Sequence, residues 1–75
     1  MFTTHISNAW DGAIVRFPHS TRFFIKVGSK DGVGGVVDIN KGQFISVRDL
    51  RDHGLGTQVS IVAMNLEDFT TDKEN

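Results

Sequence analysis

The side chains that could do chemistry in this chain are scattered, and their spacing does not assemble them into a site. The three histidines (His5, His19 and His53) include no pair at the i, i+4 spacing of one helix face and no His-x-His motif. The chain has no cysteine, which excludes disulfides and thiolate ligands. We therefore predict no metal site and no cofactor.

Catalytic patterns are equally incomplete. Ser20 lies beside His19, but nucleophilic catalysis needs a base held against the hydroxyl and a third group that orients the base. Asp49 and Asp52 stand at i, i+3, each next to an arginine, which is typical of a solvated helix face. The glycine-containing segment 28–35 lacks both the residue order of a phosphate-binding loop and a following helix. We predict no catalytic residue and no enzyme.

Aromatic side chains alternate with bases between residues 16 and 26. Arg22, Phe24 and Lys26 would share one face of a strand, and Arg16 and Phe17 precede them. Small β proteins hold single-stranded nucleic acids on strand-borne aromatics with bases nearby. The alternative is that Phe24 fills a core or subunit contact while its neighbours extend to solvent. The chain has a net charge of −1, and residues 1–66 alone carry +2, which is not the charge of a strongly basic nucleic-acid binder.

Residues 18–22, Pro-His-Ser-Thr-Arg, and residues 40–42, Asn-Lys-Gly, resemble the active-site segment and a later turn of the histidine phosphocarrier family. That resemblance implies phosphotransfer to His19. In the family the histidine is followed directly by Thr-Arg-Pro, whereas here Ser20 intervenes and Phe23 replaces the proline.

Residues 11–12, 21–23 and 41–42 resemble the ring-forming, tryptophan-dependent RNA-binding attenuation proteins. That resemblance implies a small all-β oligomer. The basic residues expected near residues 58–60 are missing, and membership of neither family is predicted.

Short apolar runs separated by turn formers cover most of the chain. The predicted strands are residues 2–7, 13–17, 21–27, 33–39, 43–47 and 58–64. Turns are predicted around Gly12 and Gly42, and a short helix over 47–53, with Ser46 as N-cap and Gly54 after its end. This spacing predicts a mainly β fold, a small antiparallel sheet, barrel or sandwich of about six short strands with at most one short helix.

The central hairpin, residues 21–39, should position the other elements. We expect Phe23, Ile25 and Val27 to face the core, with Phe24 between Arg22 and Lys26 on the solvent face. The pair of glycines at 34–35 predicts a bulge or the close approach of another group.

The chain is predicted to be one domain, residues 1–66, followed by an acidic, disordered tail, residues 67–75. The tail holds four acids and one base, a net charge of −3, although Leu66 and Phe69 could dock on the body. The sequence has no signal-peptide pattern and no apolar run of roughly 20 residues. Together with the lack of cysteine, this predicts a cytoplasmic protein.

These patterns favour a non-enzymatic protein-interaction module, such as a phage-type inhibitor or adaptor. Apolar residues on both strand faces predict a homo-oligomer, most simply a dimer; the alternative is a monomer with exposed valines. The expected partner-binding residues are Trp10, Phe17, Phe24 and Met64, with Arg22 and Lys26 at the rim. The alternative function is binding of single-stranded nucleic acid by Arg22, Phe24 and Lys26.

Overall fold

Six strands form a single antiparallel sheet in the computed structural model, which describes residues 3–28 and 34–74. The strands are β1 (Thr3–His5), β2 (Ile14–Arg16), β3 (Phe23–Val27), β4 (Gly35–Asp38), β5 (Phe44–Ser46) and β6 (Gln58–Ala63). They lie in the order β1-β6-β2-β3-β4-β5, so the first and last strands of the chain pair with each other. This confirms the predicted mainly β fold with six short strands.

The tight turns predicted from glycine are present. Gly12, at φ +91°, lies in a turn that the Ala13 N–H closes by donating to the Trp10 carbonyl over 3.1 Å. Gly42, at φ +70°, lies in the β4–β5 connection and donates its N–H to the Asp38 carbonyl over 2.7 Å. Both positions need a positive φ, which glycine adopts without steric cost.

The helix predicted over 47–53 is wrong in type, although its end is right. Val47–Asp49 is a 3-10 helix, followed by a hydrogen-bonded turn. Gly54 has φ +72°, and its N–H donates to the Arg51 carbonyl over 3.0 Å, while the Leu55 N–H donates to the Leu50 carbonyl over 3.0 Å. These two bonds form a Schellman motif, which ends a helical segment. Leu50 lies in the core and Val47 packs against it, so the segment is held on the sheet although it is not a full α-helix.

The predicted faces of the central hairpin are wrong, because they are reversed. Phe24 and Lys26 are buried, whereas Phe23, Ile25 and Val27 are only partly buried. The prediction used charge as a marker of solvent, but the long aliphatic part of a lysine can lie along apolar neighbours.

Strand register explains why this face is the inner one. Phe24 lies opposite Val15, and Lys26 lies opposite Val36, so valines from both neighbouring strands complete the inner face. The core cluster comprises Ile6, Ala9, Ala13, Val15, Phe17, Phe24, Val36, Ile45, Leu50 and Val59.

The predicted close approach at the two glycines is confirmed. A Cβ on Gly34 would collide with the Gly28 carbonyl, and one on Gly35 would collide with the Ile45 carbonyl and come within 2.8 Å of the Phe44 ring. The turn predicted between the two strands of the central hairpin, residues 28–32, lies outside the described residues except for Gly28.

The segment expected to be a disordered acidic tail contains helix α1 (Leu66–Glu74). Asn65 caps it, since its side-chain oxygen accepts the Asp68 N–H over 2.7 Å. Phe69 docks on the outer face of the sheet, with its ring 5.0 Å from the ring of Phe23. The prediction of disorder followed from the acidic composition and did not take account of the Asn65 cap and the Phe69 contact, which stabilise the helix. No helix in residues 3–28 and 34–74 is long and apolar enough to span a membrane.

Candidate protein-docking surface

Three of the six predicted contact residues lie inside the protein. Phe17 is 1% exposed, Phe24 0% and Lys26 2%. The two phenylalanine rings pack edge to face, with centroids 5.4 Å apart. These side chains are structural in the folded chain, and a partner at the surface would not reach them. The prediction that Arg22, Phe24 and Lys26 form one binding surface is therefore wrong, because Phe24 and Lys26 are buried.

Arg22 is the member of that group with an accessible side chain, and it forms a structural joint. Its guanidinium lies 3.1 Å from the Asp38 carboxylate and 5.6 Å from the centre of the Phe24 ring. The buried Asp38 carboxylate also accepts the backbone N–H groups of Asn40 and Lys41, over 2.9 and 3.0 Å. The carboxylate therefore ties the start of β3 to the β4–β5 turn.

The remaining two predicted contact residues, Trp10 and Met64, are brought together on the surface. Trp10 is 46% exposed and Met64 is 66% exposed, and the indole Nε1–H donates to the Met64 carbonyl over 2.9 Å. Leu66, two residues further on, is 43% exposed. We call Trp10, Met64 and Leu66 the docking patch. Of these, Leu66 was not among the predicted contact residues.

Elements on both sides hold the docking patch in place. The Trp10 carbonyl closes the turn into β2, and the neighbouring Ala9 is buried in the core. Met64 directly follows β6, and Asn65 begins α1 as its cap. The Trp10–Met64 hydrogen bond joins these two segments, so the Trp10 indole is held against the end of β6.

Carboxylates flank the docking patch in sequence. Asp11 follows Trp10, and Glu67 and Asp68 follow Leu66; all three are exposed. The two segments that carry the docking patch, residues 8–13 and 63–72, contain no lysine or arginine. The segments therefore combine exposed apolar side chains with negative charge.

A second exposed aromatic residue, Phe44, lies on the edge strand β5. It is 52% exposed, and its ring lies over the position where Gly35 has no side chain. The sequence analysis did not single it out, because Phe44 and Ile45 are adjacent apolar residues and the sequence alone does not show which of them is buried. Because β5 is at the edge of the sheet, its outer side carries no strand in the described chain.

The candidate chemical residues are not gathered into a site. Among residues 3–28 and 34–74, no group of three or more histidine and carboxylate side chains could hold a metal ion. His19 is exposed, and the Ser20 hydroxyl accepts the Arg22 N–H over 3.1 Å. The hydroxyl thus has a local role in the turn before β3.

Comparisons of this chain with protein-family models, curated proteins and solved structures found no match.

Proposed function

We propose that this chain is a non-enzymatic interaction module that binds another protein through the docking patch. The observation that supports the proposal is the exposed Trp10 indole, which a 2.9 Å bond from Nε1–H to the Met64 backbone carbonyl holds beside a second large exposed residue. Tryptophan is among the residues most enriched at binding hot spots, and methionine is enriched at interfaces. A fixed aromatic side chain loses little conformational entropy when it is covered.

The size of the protein sets the scale of this interface. A stable complex buries about 800 Å² on each partner, and the total accessible surface here is 5027 Å². About one sixth of the surface would be covered, so the docking patch serves as the centre of a wider contact. Polar residues around it would form the rim.

The alternative, single-stranded nucleic-acid binding, has less structural support. Base stacking needs an accessible aromatic face, and Phe24 is 0% exposed. Two aromatic residues of the described chain are largely exposed, Trp10 and Phe44, and Trp10 is next to Asp11, whose negative charge repels phosphate. Nucleic-acid binding is therefore not the function that we propose.

We also propose that the chain self-associates, most simply as a two-fold dimer. The observation in favour is Phe44, which is 52% exposed on edge strand β5. Pairing of this edge with a second copy would cover the ring and satisfy outward backbone groups. This surface does not include the docking patch, so a dimer could still bind a partner.

The cellular role proposed with this surface is that of a small cytoplasmic inhibitor or adaptor. The cysteine-free sequence suits a reducing compartment. A chain of 75 residues that covers part of a larger protein can block or bridge that protein's own contacts without chemistry of its own.

The experiment is a capture of partners from the source cell's lysate by the full chain and by two variants. Trp10→Ala should abolish recovery of a protein that wild type binds in fixed stoichiometry, and should leave the solution mass unchanged. Phe44→Ser should lower the solution mass measured by light scattering, and should leave capture unchanged. Circular dichroism establishes that each variant is folded. Equal recovery with Trp10→Ala and wild type would refute the docking proposal.

A further inference from the structure

We infer that the partner segment bound by the docking patch is basic, with lysine or arginine side chains next to apolar ones. This inference rests on the proposed docking function and specifies its partner. It arises from two independent features of the patch, which are the environment of the Trp10 indole and the charge of the flanking residues.

The indole of Trp10 has no free hydrogen-bond donor to offer. Its single N–H donates to the Met64 carbonyl over 2.9 Å, yet 46% of the residue remains exposed. A ligand can therefore address the indole through apolar contact or through the π-electrons of the ring. Lysine and arginine bind the face of tryptophan more favourably than that of any other side chain.

The flanking charges favour the same partner. Asp11, Glu67 and Asp68 are exposed and lie within two residues of Trp10 or Leu66, whereas Lys26, the base that backbone hydrogen bonds place beside the turn at Gly12 and Ala13, is only 2% exposed. A cation placed over the indole would thus sit in a region of negative potential. An acidic partner would be repelled from it.

A purely structural reason exists for part of this charge. Glu67 and Asp68 lie in the first turn of α1, where carboxylates stabilise the positive end of the helix dipole. Asp11 lies in the turn before β2 and has no such reason. The test must therefore separate recognition of charge from stabilisation of the helix. For this reason it replaces the carboxylates by amides of the same shape, which removes only the charge.

Trp10 is the single tryptophan of the chain, so its fluorescence reports directly on the docking patch. The full chain is titrated with three synthetic helical peptides of equal length, built from leucine and lysine, leucine and glutamate, or serine and lysine. We expect saturable change in emission with the leucine–lysine peptide alone, weakening as salt is raised. An equal response to the leucine–glutamate peptide, or no response to any of the three, would overturn the inference.

Charge variants separate specific recognition from general attraction. Asp11→Asn with Glu67→Gln should weaken binding of the leucine–lysine peptide about threefold to tenfold, the effect of removing two exposed charge pairs. The matched control, Asp49→Asn with Asp52→Asn, removes the same charge from exposed positions outside the patch and should change affinity less than twofold. Equal weakening in both variants would refute recognition by the acidic rim.

The captured partner distinguishes this inference from the proposed function. If capture depends on Trp10 but not on Asp11, Glu67 or salt, the docking function holds and the basic partner is wrong. If capture does not depend on Trp10, the docking function itself is wrong. Trp10 emission that changes on simple dilution of the protein, with no response to the peptides, would replace the basic partner by a second copy of the chain.

Discussion

Removing the carboxylate of Asp38 should destabilise the fold more than any surface substitution. Asp38 is 1% exposed, and its side chain accepts the N–H groups of Asn40 and Lys41 and pairs with Arg22 over 3.1 Å. Asp38→Ala leaves all three donors without their partner. Two backbone donors and one guanidinium would then have to be rehydrated or left unsatisfied.

The cost can be worked from these contacts. A hydrogen bond to a charged group contributes about 1.5–3 kcal/mol, but Asn40 and Lys41 are exposed and can recover bonds to water, so we assign about 1 kcal/mol to each. The Arg22 side chain is 40% exposed, so its ion pair contributes about 0.5–1 kcal/mol. Asp38→Ala should therefore cost about 3 kcal/mol. The free energy of unfolding of a 75-residue chain is roughly 4–11 kcal/mol, so this substitution would remove a large share of the stability.

The assay is urea unfolding followed by circular dichroism, with Asp38→Asn as the matched control. The asparagine oxygen can still accept from the turn, so this variant should lose only the ion pair, about 1 kcal/mol. Arg22→Met should cost a similar amount, and the double variant should cost less than the sum of the two. If Asp38→Ala and Asp38→Asn were equally stable, the turn amides would not depend on the carboxylate and the reasoning would be refuted.

Three further substitutions test separate parts of the fold. Gly35→Ala should cost about 1–3 kcal/mol in urea unfolding, because the new Cβ meets the Phe44 ring and a β5 carbonyl; wild-type stability would contradict this packing. Gly54→Ala should cost about 1–2 kcal/mol by the same measurement, since φ +72° is strained for alanine although no atom lies within 4 Å of the new Cβ. Phe69→Ala should free α1 from Phe23. A nine-residue helix is marginal alone, so helical dichroism and protection of the C-terminus from proteolysis should fall while the sheet persists; unchanged helicity would show that packing on the sheet is not needed.

Turn chemistry made much of the fold predictable from the sequence. Gly12, Gly42 and Gly54 each adopt the positive φ that their context predicted, so the strand boundaries between them followed. The paired glycines at residues 34–35 predicted either a bulge or a close approach, and only the structure shows that neighbouring backbone and the Phe44 ring approach them closely.

The facing of the central hairpin was not predictable, because it depends on distant partners. Residues 23–27 are apolar at four of five positions, so alternation alone does not choose a face. The choice is made by Val15 and Val36 on the inner side and by Phe69 on the outer side. The burial of Asp38 likewise requires its ion pair with Arg22, 16 positions earlier in the chain.

The candidate surface was predictable in part. Trp10 and Met64 were both expected at an interface, but the hydrogen bond that brings them together spans 54 positions, and no local pattern predicts it. Leu66 and Phe44 were missed, the first because the helix that begins there was expected to be disordered, and the second because its edge position depends on strand order.

The most direct test of the docking patch is the fluorescence of Trp10 in the free chain and in the complex with a captured partner. Because Trp10 is the single tryptophan here, a partner that lacks tryptophan, or one labelled with a non-emitting analogue, leaves its signal unobscured. We predict that the emission moves to shorter wavelength and becomes protected from acrylamide quenching on binding. Unchanged emission and quenching in a complex shown by light scattering to have formed would contradict the claim that Trp10, Met64 and Leu66 form the docking surface.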